Sequence, residues 1–469
     1  MIQLRRLLPV SRPYWPAFAA GFVAVLAGNY FRARGPLYLQ RGIDALGPGG
    51  SFDVVRRAIL LFLAVAVVGG IARYIMREAL NGASRRIETD LRDRLFVHLE
   101  RLSPEFYDRY PTGDLMARAT NDLLAVRMVA GPALMYLSDT LVGAAMMLPF
   151  MLQISPQLTG LALLPLVALP VGMVVFGQAI HHRTVRIQAA YSDVTTAVHE
   201  NLSGARIVRA YRQEAAEVER FRTINAEYAA RNLALARVSG AFHPMLALLG
   251  GLGAVAVIWV GGRLVIQGAI SPGKFVAFGV YLALLVWPMI ALGWVVNLVQ
   301  RGEASMGRIN QLFDAIPAIR APDTPRPLPP VAGARSLAVE GVWFRYPNAP
   351  ERGWVLQEIS FDIPAGGSLG IVGPTGSGKS TLAELLVRAY DPDRGRITID
   401  GVDLRSLALG DLRRTIGYVP QETFLFSDTL RNNVLLGAPD DGRLEQVARV
   451  SQLESALADL PKGFDTMLG

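Results

Sequence analysis

With 469 residues, 51% of them hydrophobic, and a mean hydropathy of +0.31, the chain is long enough for two or three domains and too apolar for an ordinary soluble protein. Its formal net charge of +8 sits mostly in segments that flank or join apolar runs, where anionic lipid and inside-positive topology account for it; no arginine run interleaved with aromatics points to nucleic acid. The absence of cysteine excludes disulfides, thiolate nucleophiles and thiolate metal sites.

The N-terminus does not read as a cleaved leader. Arg5, Arg6 and Arg12, with prolines between and after them, precede the apolar stretch, and the one small-x-small pattern, Ala17 to Ala19, falls at its start. Runs of about twenty apolar residues are the length of a bilayer crossing. Six are expected: Trp15 to Phe31, Ala58 to Met76, Leu134 to Ile154, Leu158 to Ile180, Ala241 to Ile266, and Phe275 to Val299. Short uncharged connections, Gln153 to Gln157 and the turn around Ser271-Pro272-Gly273, suit the outer face. Arg77 to Arg127 and His181 to Gly240 are long, charged and helical in pattern, which places them inside the cell. Both termini are then cytoplasmic. The outer loop after the first span holds Arg32, Arg34, Arg41, Arg56 and Arg57 and fits this scheme poorly, so either that span runs on to about Gln40 or Asn29 and these arginines line a cavity.

Asp139 is the ionisable residue that stands out within a span. It reads either as a substrate or proton site or as a solvated or arginine-paired position about one and a half turns from the span's inner end. Met146, Met147, Phe150 and Met289 offer an adaptable cavity lining, although such residues are more often plain packing.

Beyond Val299 the apolar character stops. Helical Gln300 to Ala315 leads to a linker containing Pro317, Pro322, Pro325, Pro327, Pro329 and Pro330. The domains expected are 1–300 in the membrane, 301–332 as helix end and linker, and 333–469 as a soluble domain. In the last, Leu337 to Val339, Val342 to Phe344, Ile359 to Ile363 and Ser368 to Val372 read as strands, and Ser380 to Ala389 as a helix.

Between that last strand and helix lies Gly373-Pro374-Thr375-Gly376-Ser377-Gly378-Lys379-Ser380-Thr381, the pattern of a phosphate-binding loop. Its glycines let successive backbone N–H groups turn inward on phosphate, and the following helix presents its positive end. Only three lysines stand against 44 arginines, and one of them is Lys379, where a compact ammonium suits phosphate oxygens.

Taken with Phe344-Arg345-Tyr346-Pro347, with Tyr418-Val419-Pro420-Gln421 and Phe424 to Thr429, and with Phe106 to Arg109, Gly113 to Leu115 and Glu200 to Val208, these features resemble a half-transporter of the ATP-binding cassette (ABC) exporter family, in its bacterial multidrug branch. The resemblance covers nearly the whole chain. It implies a membrane all-α six-helix bundle of the type I exporter kind, followed by a partial α/β P-loop nucleotide-binding domain. It also implies that residues 373–381 bind ATP with Lys379 at the β and γ phosphates, that the Ser380 hydroxyl ligates Mg²⁺, that Tyr346 stacks on adenine, and that Gln421 senses Mg²⁺ and the γ-phosphate. Apart from the resemblance, Tyr346 would read as a half-buried strand tyrosine and Gln421 as surface. Tyr110 to Met116 and Ser203 to Tyr211 resemble coupling helices that dock on a nucleotide domain; read blandly, they are hairpin tips.

The expected function is ATP-driven export of amphipathic small molecules or lipids across the inner (plasma) membrane by alternating access in a homo- or heterodimer. No signature motif, acidic Walker strand end or switch histidine follows the loop, and all five histidines precede it. The nucleotide domain is therefore expected to be truncated, no catalytic base is assigned, and the chain by itself is expected not to turn over ATP. The alternative is an ATP-binding, non-hydrolysing membrane subunit.

Overall fold

The computed structural model describes residues 2–47, 50–331, 333–421 and 423–468. They form two compact units, one of Met1–Arg101 with Tyr110–Ile316 and the other of Leu102–Arg109 with Pro317–Gly469.

The first unit is helical: α1 (Trp15–Asp44), α2 (Phe52–Leu99), then, after the short α3 (Pro104–Arg109) of the second unit, α4 (Thr112–Ile154), α5 (Pro156–Ser203), the short α6 (Ala205–Ala210), α7 (Glu214–Ile266) and α8 (Pro272–Phe313). Local sequence starts three of these helices where serine can cap them. Ser51 accepts from Asp53 N, Ser155 from Leu158 N and Ser271 from Lys274 N, and in the last two cases proline occupies the first helical turn, where its missing N–H costs nothing.

Among the described residues five helices, α2, α4, α5, α7 and α8, are long and apolar enough to cross a membrane, and each contains one expected span. The sixth expected span, Trp15 to Phe31, lies in α1, which is long but falls short in apolarity. Asn29 and Arg32 interrupt its apolar run, and Arg34, Arg41 and Asp44 follow on the same helix, which runs past Phe31 to Asp44.

Three of these polar residues find hydrogen-bond partners within the unit: Asp44 accepts from Ser271 Oγ at 2.9 Å and from Gly273 N at 2.8 Å, and the other two meet at Asp139. Asn29, only 2% exposed, donates to Asp139 Oδ1 at 2.8 Å, and the Arg32 guanidinium lies 4.0 Å from Asp139 Oδ2 while donating to Leu284 O at 3.2 Å. Asp139 is thus an arginine-paired residue, which is how a charge tolerates an apolar surrounding. Tyr281 is fully buried and donates to Ala33 O at 2.6 Å; Phe150 stacks on its ring at 6.0 Å. Met147 is buried in the same core, and the partly buried Met146, Phe150 and Met289 pack against it.

At the other end of the unit Leu7, Val10, Ile87, Leu91, Leu123 and Ile309 form a separate core. Beside it Asp122 accepts from Ser305 Oγ at 2.9 Å and from Arg308 Nε at 2.8 Å.

The second unit holds a four-stranded sheet, β1 (Leu337–Phe344), β2 (Leu356–Ile363), β3 (Arg394–Ile399) and β4 (Val402–Asp403), in the order β2-β1-β3-β4 and antiparallel throughout. The two strands expected at Leu337 to Val339 and Val342 to Phe344 are one strand with register shifts. Its inward residues Val339, Val342 and Phe344 pack against Leu382 and Leu385 of α9 (Lys379–Leu386). The expected strand Ser368 to Val372 is not formed. A strand needs a neighbour to take its N–H and C=O groups; this segment has none among the described residues, and Val372 is 98% exposed. The helix after the loop is shorter than Ser380 to Ala389, ending before Arg388, whose φ of 50° is left-handed.

Candidate functional site: the phosphate loop and its aromatic neighbours

Residues 373–378 form an open turn that delivers the chain into α9. Gly376 and Gly378 have φ of 84° and 88°, values a side-chain-bearing residue adopts only under strain, and a Cβ on Gly378 would meet Leu356 Cδ2 at 2.8 Å. Ser377 N donates back to Pro374 O at 3.2 Å, closing the turn.

The Lys379 ammonium folds over this turn, donating to Gly373 O and Pro374 O at 2.8 Å each and to Ser377 Oγ at 3.3 Å. A flexible cation is therefore already held over the concave face of a glycine loop at a helix N-terminus, a donor set that fits a polyphosphate. Pro374, Thr375, Gly376, Ser377 and Ser380 are exposed around it.

Thr381, by contrast, is buried, and its hydroxyl lies 2.8 Å from Tyr346 Oη. Tyr346 also donates to Glu384 Oε2 at 3.2 Å, so the aromatic at the end of β1 is tied to the helix that the loop opens. Burial pushes its phenol above the ordinary value. The ring meets Phe344 and Tyr390 edge to face at 5.2 and 5.6 Å. Gln421 is exposed and is not brought against Ser380 by any side-chain hydrogen bond among the described residues.

Tyr390 extends the network. Its hydroxyl donates to Asp108 Oδ2 of α3 at 2.6 Å; two more bonds fix the same segment, Asn348 Nδ2 to Glu105 O at 2.7 Å and Ile319 N to Ser103 Oγ at 2.9 Å. Burial, and next the Asp108 carboxylate, drive the Tyr390 phenol strongly upward. The fold thus holds the protonated form, and its contribution persists through neutral pH and fades only as pH climbs past the ordinary phenol range. Sequence reading picks out Asp108 within a motif but gives Tyr390 no role, because a tyrosine before an aspartate in a polar stretch carries no local signal of a contact 282 positions away.

The pieces form one connected arrangement. A phosphate-type loop opens α9, α9 holds Tyr346, Tyr346 abuts Tyr390, and Tyr390 binds a segment that the chain places between two long helices.

Residues 18–289 match the ABC transporter transmembrane region, and residues 356–466 match the family described as ABC transporter. The chain is 35% identical over 473 residues to the probable multidrug resistance ABC transporter ATP-binding/permease protein YheI of Bacillus subtilis, covering 99% of this chain and 80% of that one. It is 36% identical over 418 residues to the multidrug resistance-like ATP-binding protein MdlA of Escherichia coli, covering 88% and 70%. With the ATP-dependent lipid A-core flippase of Syntrophus aciditrophicus the identity is 32% over 470 residues, covering 99% and 77%.

Proposed function

Because the chain belongs to the ABC transporter family, with a helical transmembrane region and an ABC nucleotide-binding region on one polypeptide, we propose that it is a half-transporter driving export of amphipathic small molecules or lipids across the cell membrane with ATP. The observation that carries the reading is the continuous path from Lys379 and α9 through Tyr346 and Tyr390 to Asp108. A nucleotide acting on a membrane machine needs such a link, since coupling requires that both sites bias one physically connected element.

In this reading the loop 373–381 holds the triphosphate, Lys379 exchanges its loop carbonyls for phosphate oxygens, and the exposed face beside Tyr346 receives the adenine. Mg²⁺, when bound, neutralises phosphate charge, and Ser380 and Gln421 are the residues to hold it. Two chains, identical or different, assemble in the inner (plasma) membrane with both termini cytoplasmic, and ATP binding favours the outward-facing state.

The test is nucleotide binding and ATP turnover by the chain in lipid nanodiscs, with Lys379→Ala beside it. Binding lost in the variant supports the reading. Binding without turnover in the wild type favours a non-hydrolysing subunit, and equal binding by both proteins overturns the assignment of the loop.

A further inference from the structure

The helical unit contains a cavity of about 1560 Å³ between α5, α7 and α8. Along α5 its wall changes from apolar Val175 to His181, His182, Arg183 and Arg186; along α8 it changes from Trp294 and Leu298 to Arg301, while α7 contributes Arg231. Among the described residues no aspartate or glutamate lines it. Arg231 is spoken for, pairing with Glu227 and donating to Arg186 O at 2.9 Å, and Arg183 donates to Ala179 O at 3.0 Å. Arg186 and Arg301 have no carboxylate partner among the described residues.

Arginines on a convex helix face are ordinarily just solvated. Arg186 and Arg301 are themselves exposed, but both line one concavity with an apolar wall on one side, where like charges repel one another and the positive potential is focused. Such an arrangement favours an anion. The change from apolar to basic lining along both α5 and α8 sets the shape of that anion: a charged head between Arg186 and Arg301, with a tail against Val175, Trp294 and Leu298.

We propose that this cavity takes up an anionic amphiphile, with a phosphate, sulfate or carboxylate head on an apolar tail, and that it selects the exporter's substrates for negative charge. The inference rests on the exporter reading above and names its substrate class. Two sources share this chemistry, a free amphiphile and the headgroup of a bilayer lipid, and the proposal is for the free amphiphile.

The experiment is equilibrium binding of tritiated dodecyl phosphate to the full chain in phosphatidylcholine nanodiscs. Expected are saturable binding weakened by salt, no competition from dodecyltrimethylammonium, and a loss of affinity of about tenfold or more in the double variant Arg186→Gln/Arg301→Gln, restored by Arg186→Lys/Arg301→Lys. Unchanged affinity in the glutamine variant, or equal competition by the cationic amphiphile, overturns the proposal. Phosphatidylglycerol in the nanodiscs separates the sources: retained binding supports a free amphiphile, whereas complete displacement assigns the cavity to bilayer headgroups and overturns it. Nucleotide binding, measured on the same samples, keeps the two readings apart. If ATP binds in wild type and glutamine variant alike while dodecyl phosphate shows no charge preference, the variant is folded and only the present inference falls; absence of ATP binding in the wild type counts against the exporter reading instead.

Discussion

The two hairpin tips of the chain are alike in sequence character and opposite in surroundings. Both short helices, α3 and α6, sit between long charged helices. Yet α3 and Ser103 just before it are fastened to Ile319 of the linker, Asn348 and Tyr390, whereas around α6 Ile207 and Tyr211 stand 65% and 72% exposed. A hairpin tip is therefore defined by what receives it. Exposed large apolar residues clustered at a tip favour a partner surface, and in the dimeric reading a second half-transporter supplies it.

This contrast can be broken by substitution. The largest effect is expected for Asp108→Ala, which leaves the buried Tyr390 hydroxyl without an acceptor at a cost of about 2 kcal/mol; hydrogen exchange across residues 385–391 should accelerate by roughly tenfold or more, and unchanged protection would deny the tether. Tyr390→Phe removes the donor and keeps the ring, so a loss of about 1 kcal/mol is expected. The double variant should cost clearly less than the sum of the two, and simple additivity would show that the pair does not interact. Ser103→Ala should cost about 1 kcal/mol, read as faster exchange at the Ile319 amide, because one backbone donor loses its partner. Smallest is the effect on the other tip: Ile207→Gln with Tyr211→Gln should leave thermal stability within about 0.5 kcal/mol of wild type. Its consequence should emerge instead in chain–chain association, measured by sedimentation in detergent, and a large loss of monomer stability would show that α6 is already packed.

Much of the architecture is legible because its signals are local. Serine and proline mark the starts of α5 and α8, twenty-residue apolar runs mark five helices, and the glycine spacing with Lys379 marks the loop. The first helix is less legible. Its polar residues read as a misplaced outer loop, and only the approach of α4 shows that Asn29 and Arg32 meet Asp139. The segment Ser368 to Val372 misleads in the same way: its strand-forming residues satisfy a local propensity, but among the described residues no neighbour completes a ladder.

What the sequence determines by itself is the class of machine, since bilayer length, capping and phosphate-loop geometry depend on residues within a few positions of one another. Tertiary structure decides the rest: that Asp139 is paired, that Met147 is core, that Tyr390 reaches Asp108, and that arginines from separate helices face one cavity. Each is a contact between distant parts of the chain, and hydrophobic period or motif spacing carries no information about which faces of two long helices will meet.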